Sequence, residues 1–279
     1  MRLDDQPESQ NVEDRRGIGP VGPGGLGGIG VVVVIVLGLI FGVNPATLLR
    51  LIGNQEQPAA YRQAPPPGSQ PGQEDAQRQF VGKVLGSTEE VWGSIFSQLG
   101  RRYQPPTLVL FSGAVQSACG LARSATGPFY CPADRRVYLD TAFFRDMQTK
   151  LRAPGDFPRA YVIAHEVGHH VQTLLGLDMM AGARSNDASV RIELQADCFA
   201  GVWANRSNAT RGILEKGDVE EGINAATAIG DDRLQMESRG YVVPDSFTHG
   251  SSKQRVTWFV RGLQSGDIRQ CDTLRANPL

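Results

Sequence analysis

The sequence predicts an α+β protein, mainly helical, in which a compact domain follows a single N-terminal transmembrane helix. Apolar residues recur at helical spacing from Phe80 to Leu99, and they dominate two later stretches around positions 165 and 195. Residues 107–111 and 136–139 are short runs rich in β-branched, aromatic and leucine side chains, which is typical of strands. The predicted membrane helix is an uncharged apolar run that begins at Ile29.

Composition divides the chain into four segments. Residues 1–28 are polar and then glycine-rich, so they are predicted to be disordered, because too little apolar surface is available to offset the entropy of ordering. Residues 29–52 are predicted to be a transmembrane anchor, since the apolar stretch 26–43 approaches the ~20 residues that span a bilayer. Residues 53–79 are rich in Pro, Gln and Gly and are predicted to be a linker. Residues 80–279 are predicted to form one domain.

A cleaved signal peptide is the alternative interpretation of the apolar run. The run starts late in the chain and no A-x-A cleavage site follows it closely, which favours an anchor. Arg15 and Arg16 precede the run and favour an N-terminus that stays in the cytoplasm. This orientation predicts a single-pass protein of the bacterial inner membrane, with residues 80–279 in the periplasm or outside.

The four cysteines are Cys119, Cys131, Cys198 and Cys271, and none forms a C-x-x-C pair. An even number of widely spaced cysteines fits disulfides in an oxidising compartment, and four cysteines allow three pairings. The segment between the first two is short and rich in turn residues, which favours Cys119 with Cys131 and leaves Cys198 with Cys271. Four buried free thiols are the alternative.

Charge and aromatic content argue against a nucleic-acid partner. The formal net charge is −1, so no excess of basic residues is available to contact phosphates. Aromatic residues make up 7% of the chain, which disfavours a platform on which single-stranded bases stack. No pattern in the sequence indicates an oligomeric state.

The motif HEVGH at 165–169 is the main candidate for chemistry. Positions four apart lie on one face of a helix, so His165 and His169 can present two imidazoles to one ion. Zinc prefers tetrahedral nitrogen and oxygen ligands, and catalytic zinc keeps one position for water. Glu166 is offset around the helix, so we expect it to activate that water as general base and then act as general acid. The alternative is a pair of hydrogen-bonded core histidines.

The downstream stretch RIELQADCFAG at 191–201 offers a third ligand. Glu193 could complete a His2Glu set, and Asp197, one turn later, could accept the ring N–H of a ligand histidine. An exposed acidic stripe is the alternative, but the neighbouring residues are largely apolar and two unpaired acids on a buried helix would be costly. His170 points elsewhere on its helix and is interpreted as a hydrogen-bonded or surface residue.

HEVGH followed 24 residues later by ExxAD resembles the gluzincin type of zincin peptidase. Further stretches resemble one family, the bacterial neutral zinc metallopeptidases: SACG at 117–120, GPFYCPAD at 127–134, VYLD at 137–140, AYVIAHEVGHHVQ at 160–172, ELQADCFAGVWA at 193–204, AIGDDRLQ at 228–235 and VVPDSFTHGSSKQR at 242–255. The resemblance implies a zincin-like domain that hydrolyses peptide or protein substrates, with His165 and His169 on zinc and Glu166 as the catalytic acid.

Two further expectations rest on comparison with zincins. Such sites often use a His or Tyr donor to stabilise the tetrahedral oxyanion, and His249, in the small-residue stretch DSFTHGSS at 245–252, is the candidate for this catalytic role. A loop histidine that makes local hydrogen bonds is the alternative. By analogy, the strand at residues 137–140 is expected to be the sheet edge that pairs with an extended substrate.

The sequence therefore predicts a membrane-anchored, Zn²⁺-dependent metallopeptidase of the HExxH type. One alternative is a non-catalytic, membrane-anchored binding or scaffold protein that retains a structural zinc. Structural zinc usually has four protein ligands, so a fourth ligand such as Cys198 or His249 would favour that alternative. A second alternative is a metal-dependent hydrolase that acts on a bond other than a peptide bond.

Overall fold

The computed structural model describes four stretches of the chain, residues 1–16, 71–123, 127–180 and 185–279. The predicted anchor, residues 29–52, lies outside these stretches. Within them, no helix combines the length and the apolar character that a membrane span requires.

Most of the described chain is helical, as the sequence predicts. The helices are α1 (Pro71–Gln98), α2 (Ala142–Thr149), α3 (Asp156–Leu175), α4 (Leu177–Met180), α5 (Asn186–Arg211), α6 (Asp218–Ala228), α7 (Asp231–Arg239) and α8 (Ser252–Ser265), with two 3-10 helices at Pro244–Ser246 and Ile268–Cys271. Helix α1 begins before Phe80, so the linker predicted for residues 53–79 is wrong for its last nine residues, which are helical.

Within the described residues, the strands form one four-stranded sheet and one hairpin. They are β1 (Val12–Asp14), β2 (Thr107–Phe111), β3 (Ala114–Ser117), β4 (Gly120–Arg123), β5 (Phe129–Cys131) and β6 (Arg136–Asp140). The sheet order is β1-β2-β6-β5, with β5 antiparallel to β6 and the other neighbours parallel. Strand β6 is flanked on both sides, so the expectation that it is a free edge is wrong, and β5 forms that edge in its place.

The main core lies between the helices and one face of the sheet. Successive strand residues point to opposite faces, so Leu108 and Leu110 pack with the helices, while Val109 and Phe111 pack with the β3–β4 hairpin in a second, smaller cluster. The sheet is therefore covered on both faces, which explains why β2 is an almost continuous run of apolar residues.

Glycines allow the central helices to approach one another closely. A Cβ atom added at Gly168 of α3 would lie 3.1 Å from the Cα of Ala196 in α5. A Cβ atom added at Gly262 of α8 would lie 1.9 Å from the carbonyl oxygen of Cys198, also in α5. Helix α5 is thus held between α3 and α8 at backbone contact distance, and polar side chains on the three helices can meet.

The structure confirms the favoured disulfide pairing. The bond between Cys119 and Cys131 ties the turn of the β3–β4 hairpin to the edge strand β5. The bond between Cys198 and Cys271 ties the middle of α5 to the last 3-10 helix, across 73 residues of sequence. The described residues contain no free cysteine.

Residues 1–16 are part of the folded domain, so the prediction that residues 1–28 are disordered is wrong for this stretch. Strand β1 pairs with β2 along the sheet, and the backbone N–H of Ser9 donates to the carbonyl of Gly82 at 2.9 Å. Polar composition does not exclude this order, because strand pairing satisfies backbone groups whatever the side chains are.

The packed N-terminal strand restricts how the chain can meet a membrane. Strands β1 and β2 belong to one sheet. Arg16 and Pro71, the described residues on either side of residues 17–70, are therefore parts of one folded domain. A single crossing between these residues would place β1 and β2 on opposite sides of the bilayer. The strand pairing and the predicted single-pass topology therefore exclude one another.

His170 joins helix α3 to the sheet side of the molecule. Its buried ring places Nε2 at 2.7 Å from the carbonyl oxygen of Gln104 and Nδ1 at 3.1 Å from the hydroxyl of Tyr130 in β5. A carbonyl can only accept, so Nε2 carries the proton and Nδ1 accepts from Tyr130. Burial lowers the pKa of His170 to about 4.

We expect His170 to make the fold sensitive to acid. Between pH 7 and pH 4 an unfolded histidine, with a pKa near 6.5, binds a proton that the folded His170 does not. The stability that His170 contributes is therefore present at neutral pH and lost on acidification, by up to about 3 kcal/mol. Urea unfolding in EDTA measures the free energy of unfolding of wild type and of His170→Gln. The difference between the two values should shrink by that amount as the pH falls from 7 to 4.

The matched control is His249→Gln, since the pKa of His249 is raised and its contribution to stability has the opposite dependence on pH. If the difference in unfolding free energy between wild type and His170→Gln stays constant from pH 7 to pH 4, the assignment of a neutral, buried His170 is contradicted.

Candidate active site

Helices α3 and α5 bring His165, His169 and Glu193 together. Nε2 of His165 lies 3.1 Å from one oxygen of Glu193, and Nε2 of His169 lies 3.4 Å from the other. One ligand atom from each of the three residues lies within 4.8 Å of the other two. The three residues predicted as ligands are thus neighbours in space, although the helices that carry them are separate in sequence.

Both imidazoles turn Nε2 towards this point because their other nitrogen is engaged. Nδ1 of His165 lies 2.9 Å from Asp197 Oδ1, and Nδ1 of His169 lies 2.9 Å from Gln172 Oε1. A carboxylate oxygen can only accept, so Nδ1 of His165 donates. Each ring can then offer the Nε2 lone pair to a metal ion, which is how ligand histidines are usually held.

Asp197 is the most enclosed charge of the site. It is 0% exposed and accepts a hydrogen bond from the hydroxyl of Tyr161 at 2.5 Å. It also accepts from Nδ1 of His165 and from two nitrogens of Arg255, each of these at 2.9 Å. Burial alone would raise the pKa of Asp197, but Arg255 and His165 outweigh burial and lower it. Asp197 therefore stands where the sequence predicted, beside the ring N–H of His165.

The carboxylates also control the protonation of the two imidazoles. Burial alone would lower the pKa of His165, but Asp197 raises it to about 10. Burial alone would also lower the pKa of His169, but Glu193 raises it above its ordinary value. Burial alone would raise the pKa of Glu193, but the two imidazoles hold it well below its ordinary value. A metal ion must displace protons from these rings, so metal binding is expected to weaken as the pH falls.

Glu166 lies beside the three candidate ligands and is itself buried. Burial raises the pKa of Glu166, and this effect exceeds the lowering by the neighbouring imidazoles. A carboxylate with a raised pKa is a stronger proton acceptor than an ordinary glutamate, which is the property that a general base needs near neutral pH.

These residues line a cavity of about 590 Å³. Its other walls are mainly apolar and come from β5 and the residues beside it, from α2, α3 and α5, from the end of α6 and from α7: Gly127, Pro128, Phe129, Tyr130, Pro132, Phe143, Val162, Ile192, Ile229 and Leu234. The edge strand β5 thus borders the same cavity as the histidines and Glu166. A cavity of this size can admit part of a polypeptide.

His249 lines this cavity from the loop that precedes α8, with 51% of its side chain exposed. Nδ1 of its ring lies 3.3 Å from Asp231, and the same carboxylate accepts the backbone N–H groups of Thr248 and His249 at 2.7 Å each. The hydrogen bond to Asp231 raises the pKa of His249. The loop is therefore fixed, with a donor side chain in the cavity.

Within the described stretches, the group of candidate ligands has three members and no fourth. Cys198 is bonded to Cys271, so its sulfur is not a thiolate, and His249 stands outside the group. Two imidazoles and one carboxylate fit Zn²⁺, and a set of three is typical of sites that keep a position for water. A fourth protein ligand, which would have favoured the scaffold alternative, is therefore absent from the described residues.

The family whose description is "Putative neutral zinc metallopeptidase" matches residues 1–274. The chain belongs to this family. It is 48% identical to the "Uncharacterized protein YpfJ" of Escherichia coli (strain K12), with 98% of each chain covered, and 40% identical to the "Uncharacterized protein Rv2575" of Mycobacterium tuberculosis (strain ATCC 25618 / H37Rv), with 86% of each covered. No solved structure matches the chain.

Four side chains at the site were not predicted from the sequence: Tyr161, Gln172, Asp231 and Arg255. A signal existed for Arg255, which lies on the same helical face as Trp258 and Phe259 and is therefore predicted to be buried, where a guanidinium needs an acid. For Asp231 no such signal existed, since its partners are backbone groups of a distant loop.

Proposed function

We propose that the protein is a zinc metallopeptidase that hydrolyses peptide or protein substrates with Glu166 as general base and then general acid. One observation carries this proposal: two imidazole Nε2 atoms and the Glu193 carboxylate converge beside a buried Glu166 in a single cavity. The family to which the chain belongs supports peptide hydrolysis as the reaction. We propose a zincin-like relationship on the same grounds.

His165, His169 and Glu193 would hold the zinc, and Asp197 would fix the orientation of His165. When bound, zinc would polarise the scissile carbonyl and lower the pKa of a water molecule. The residues of the chain then move one proton. Glu166 accepts it from the attacking water and delivers it to the leaving nitrogen, so that the amine departs neutral.

The edge strand β5 supports a path for the substrate. Strand β5 pairs with β6 along one edge, and two of its residues, Phe129 and Tyr130, line the cavity. An extended peptide can add to such an edge through backbone hydrogen bonds, which bind it with little regard to sequence. We propose that β5 takes the role that the sequence analysis gave to residues 137–140.

Replacement of Glu166 by Gln should abolish peptide hydrolysis and leave the metal in place. The amide keeps the size of the side chain but cannot accept a proton, so the rate should fall at least ~100-fold. Zinc content and cleavage of casein or a peptide library, measured on the full chain beside wild type, check this expectation.

Each outcome of this experiment separates the candidate functions. One zinc in both proteins, with cleavage only by the wild type, would support the peptidase. Zinc in both without cleavage of any peptide would favour the scaffold or a hydrolase of other bonds, which a screen of ester and amide substrates would detect. Wild-type protein that takes up no zinc would contradict the proposal.

We propose that His249 stabilises the oxyanion of the tetrahedral intermediate. The ring stands in the cavity, Asp231 holds it, and its raised pKa favours the donor form. His249→Ala should therefore lower kcat ~100- to 1000-fold with a smaller change in KM, since the interaction is made mainly in the transition state. A variant that loses only substrate affinity would contradict this role.

We also propose that residues 29–52 attach the protein to the bacterial inner membrane, with the domain in the periplasm or outside. The apolar run supports attachment, and the two disulfides favour an oxidising compartment. The pairing of β1 with β2 requires residues 1–16 to lie on the same side as the domain. In the attachment that we propose, residues 1–16 and the rest of the domain therefore lie on the same side of the membrane.

Tag accessibility in intact cells checks this arrangement. Tags at both ends of the chain should be reached in spheroplasts by an impermeable reagent without lysis, and deletion of residues 29–52 should move the protein from the membrane to the soluble fraction. An N-terminal tag that reacts only after lysis, with the other tag already reactive, would show a single crossing and contradict the strand pairing.

A further inference from the structure

Gln172 is a buried glutamine that contacts one of the candidate ligands. Its Oε1 lies 2.9 Å from Nδ1 of His169, and its Nε2 donates to the carbonyl of Ile192 at 2.7 Å and to Oε1 of Gln195 at 3.1 Å. The side chain of Gln172 is 1% exposed, so water does not compete for these groups.

Two backbone carbonyls fix the direction of this chain of hydrogen bonds. The carbonyl of Ile192 can only accept, so the nitrogen of Gln172 must face it and the oxygen of Gln172 must face His169. Gln195 likewise donates to the carbonyl of Cys271 at 2.9 Å, which turns its own oxygen to Gln172. In the neutral ring, the proton of His169 is therefore required on Nδ1, and Nε2 keeps the lone pair that a metal ion needs.

The two carbonyls are themselves anchored near the site. Ile192 immediately precedes Glu193, so the bond from Gln172 links His169 on α3 to the backbone of the third candidate ligand on α5. Cys271 is held to Cys198, the residue that follows Asp197, by the disulfide. The chain of hydrogen bonds thus runs from the disulfide residue Cys271 through Gln195 and Gln172 to the imidazole of His169.

We propose that Gln172 is a positioning residue that sets the tautomer and ring orientation of His169 for metal binding, and that Gln195 and the Cys198–Cys271 disulfide hold Gln172 in place. This inference rests on the metal site of the proposed function. It differs from the pairing of His165 with Asp197, because the partner of His169 is neutral. Gln172 orients the ring without adding a negative charge to it.

Zinc affinity tests this role apart from catalysis. Partners that orient ligand histidines are worth ~10- to 100-fold in metal affinity, so Gln172→Leu in the full chain should weaken zinc binding by that factor. Gln172→Glu keeps an acceptor for His169 but replaces the donor to the Ile192 carbonyl, so it should weaken zinc binding by a smaller factor than Gln172→Leu does. Competition with a chelating dye measures both, and thermal unfolding in EDTA measures stability separately.

Gln195→Leu removes the support of Gln172 but not its contact with His169, and it should weaken zinc binding by a smaller factor than Gln172→Leu. The matched control is Gln6→Leu, a buried glutamine with no contact to the site, which should leave zinc affinity unchanged. The visible spectrum of the cobalt-substituted protein should change in Gln172→Leu and not in Gln6→Leu.

Two results would overturn the inference. In the first, Gln172→Leu unfolds at a lower temperature but binds zinc as wild type does, which is the signature of a purely structural residue. In the second, which decides the matter if Gln172→Leu does not fold, Gln195→Leu binds zinc as wild type does and leaves the cobalt spectrum unchanged, although it removes the support of Gln172. Wild type that binds zinc but cleaves nothing would count against the proposed peptidase and leave these affinity differences fully readable.

Discussion

The close contact of helices α3 and α5 is the constraint on which the site depends. A Cβ atom at Gly168 would lie in tight contact with the backbone of Ala196. Packing therefore favours glycine as the fourth residue of HEVGH, whereas metal binding accounts for the two histidines. At this separation, Glu193 reaches both imidazoles and Asp197 reaches His165. A side chain at position 168 would require the backbones of α3 and α5 to shift by a few tenths of an ångström, and these two helices carry all three candidate ligands.

The same contact creates a buried charge that the rest of the fold must balance. Asp197 is fully enclosed, and an isolated carboxylate there would be strongly destabilising. Arg255 of α8 balances it, and α8 can come close enough because Gly262 lies against the backbone of Cys198. Tertiary packing thus serves the candidate metal site twice, by placing the ligands and by bringing the cation that keeps Asp197 ionised.

Sequence reasoning predicted the elements whose cause is local. Helical periodicity and the i, i+4 spacing of His165 and His169, with Glu166 between them, suffice for α3 and most of the candidate site. A buried acid pair suffices for α5. It failed for β1 and for the edge strand β5, because strand pairing is decided by distant backbone and leaves little trace in side chains. Gln172 was missed because an uncharged residue on an apolar helix gives no electrostatic signal.

The difference between the partners of the two imidazoles follows from charge balance. Around the candidate ligands, Glu166, Glu193 and Asp197 are carboxylates and Arg255 is the one guanidinium among the described residues that bonds to them. The excess is two negative charges, which a divalent cation with neutral imidazoles would neutralise. A carboxylate in place of Gln172 would add a third negative charge. It would also raise the proton affinity of His169, so that protons would compete more strongly with the metal for this ring. An amide orients the ring just as firmly, and it leaves the balance intact.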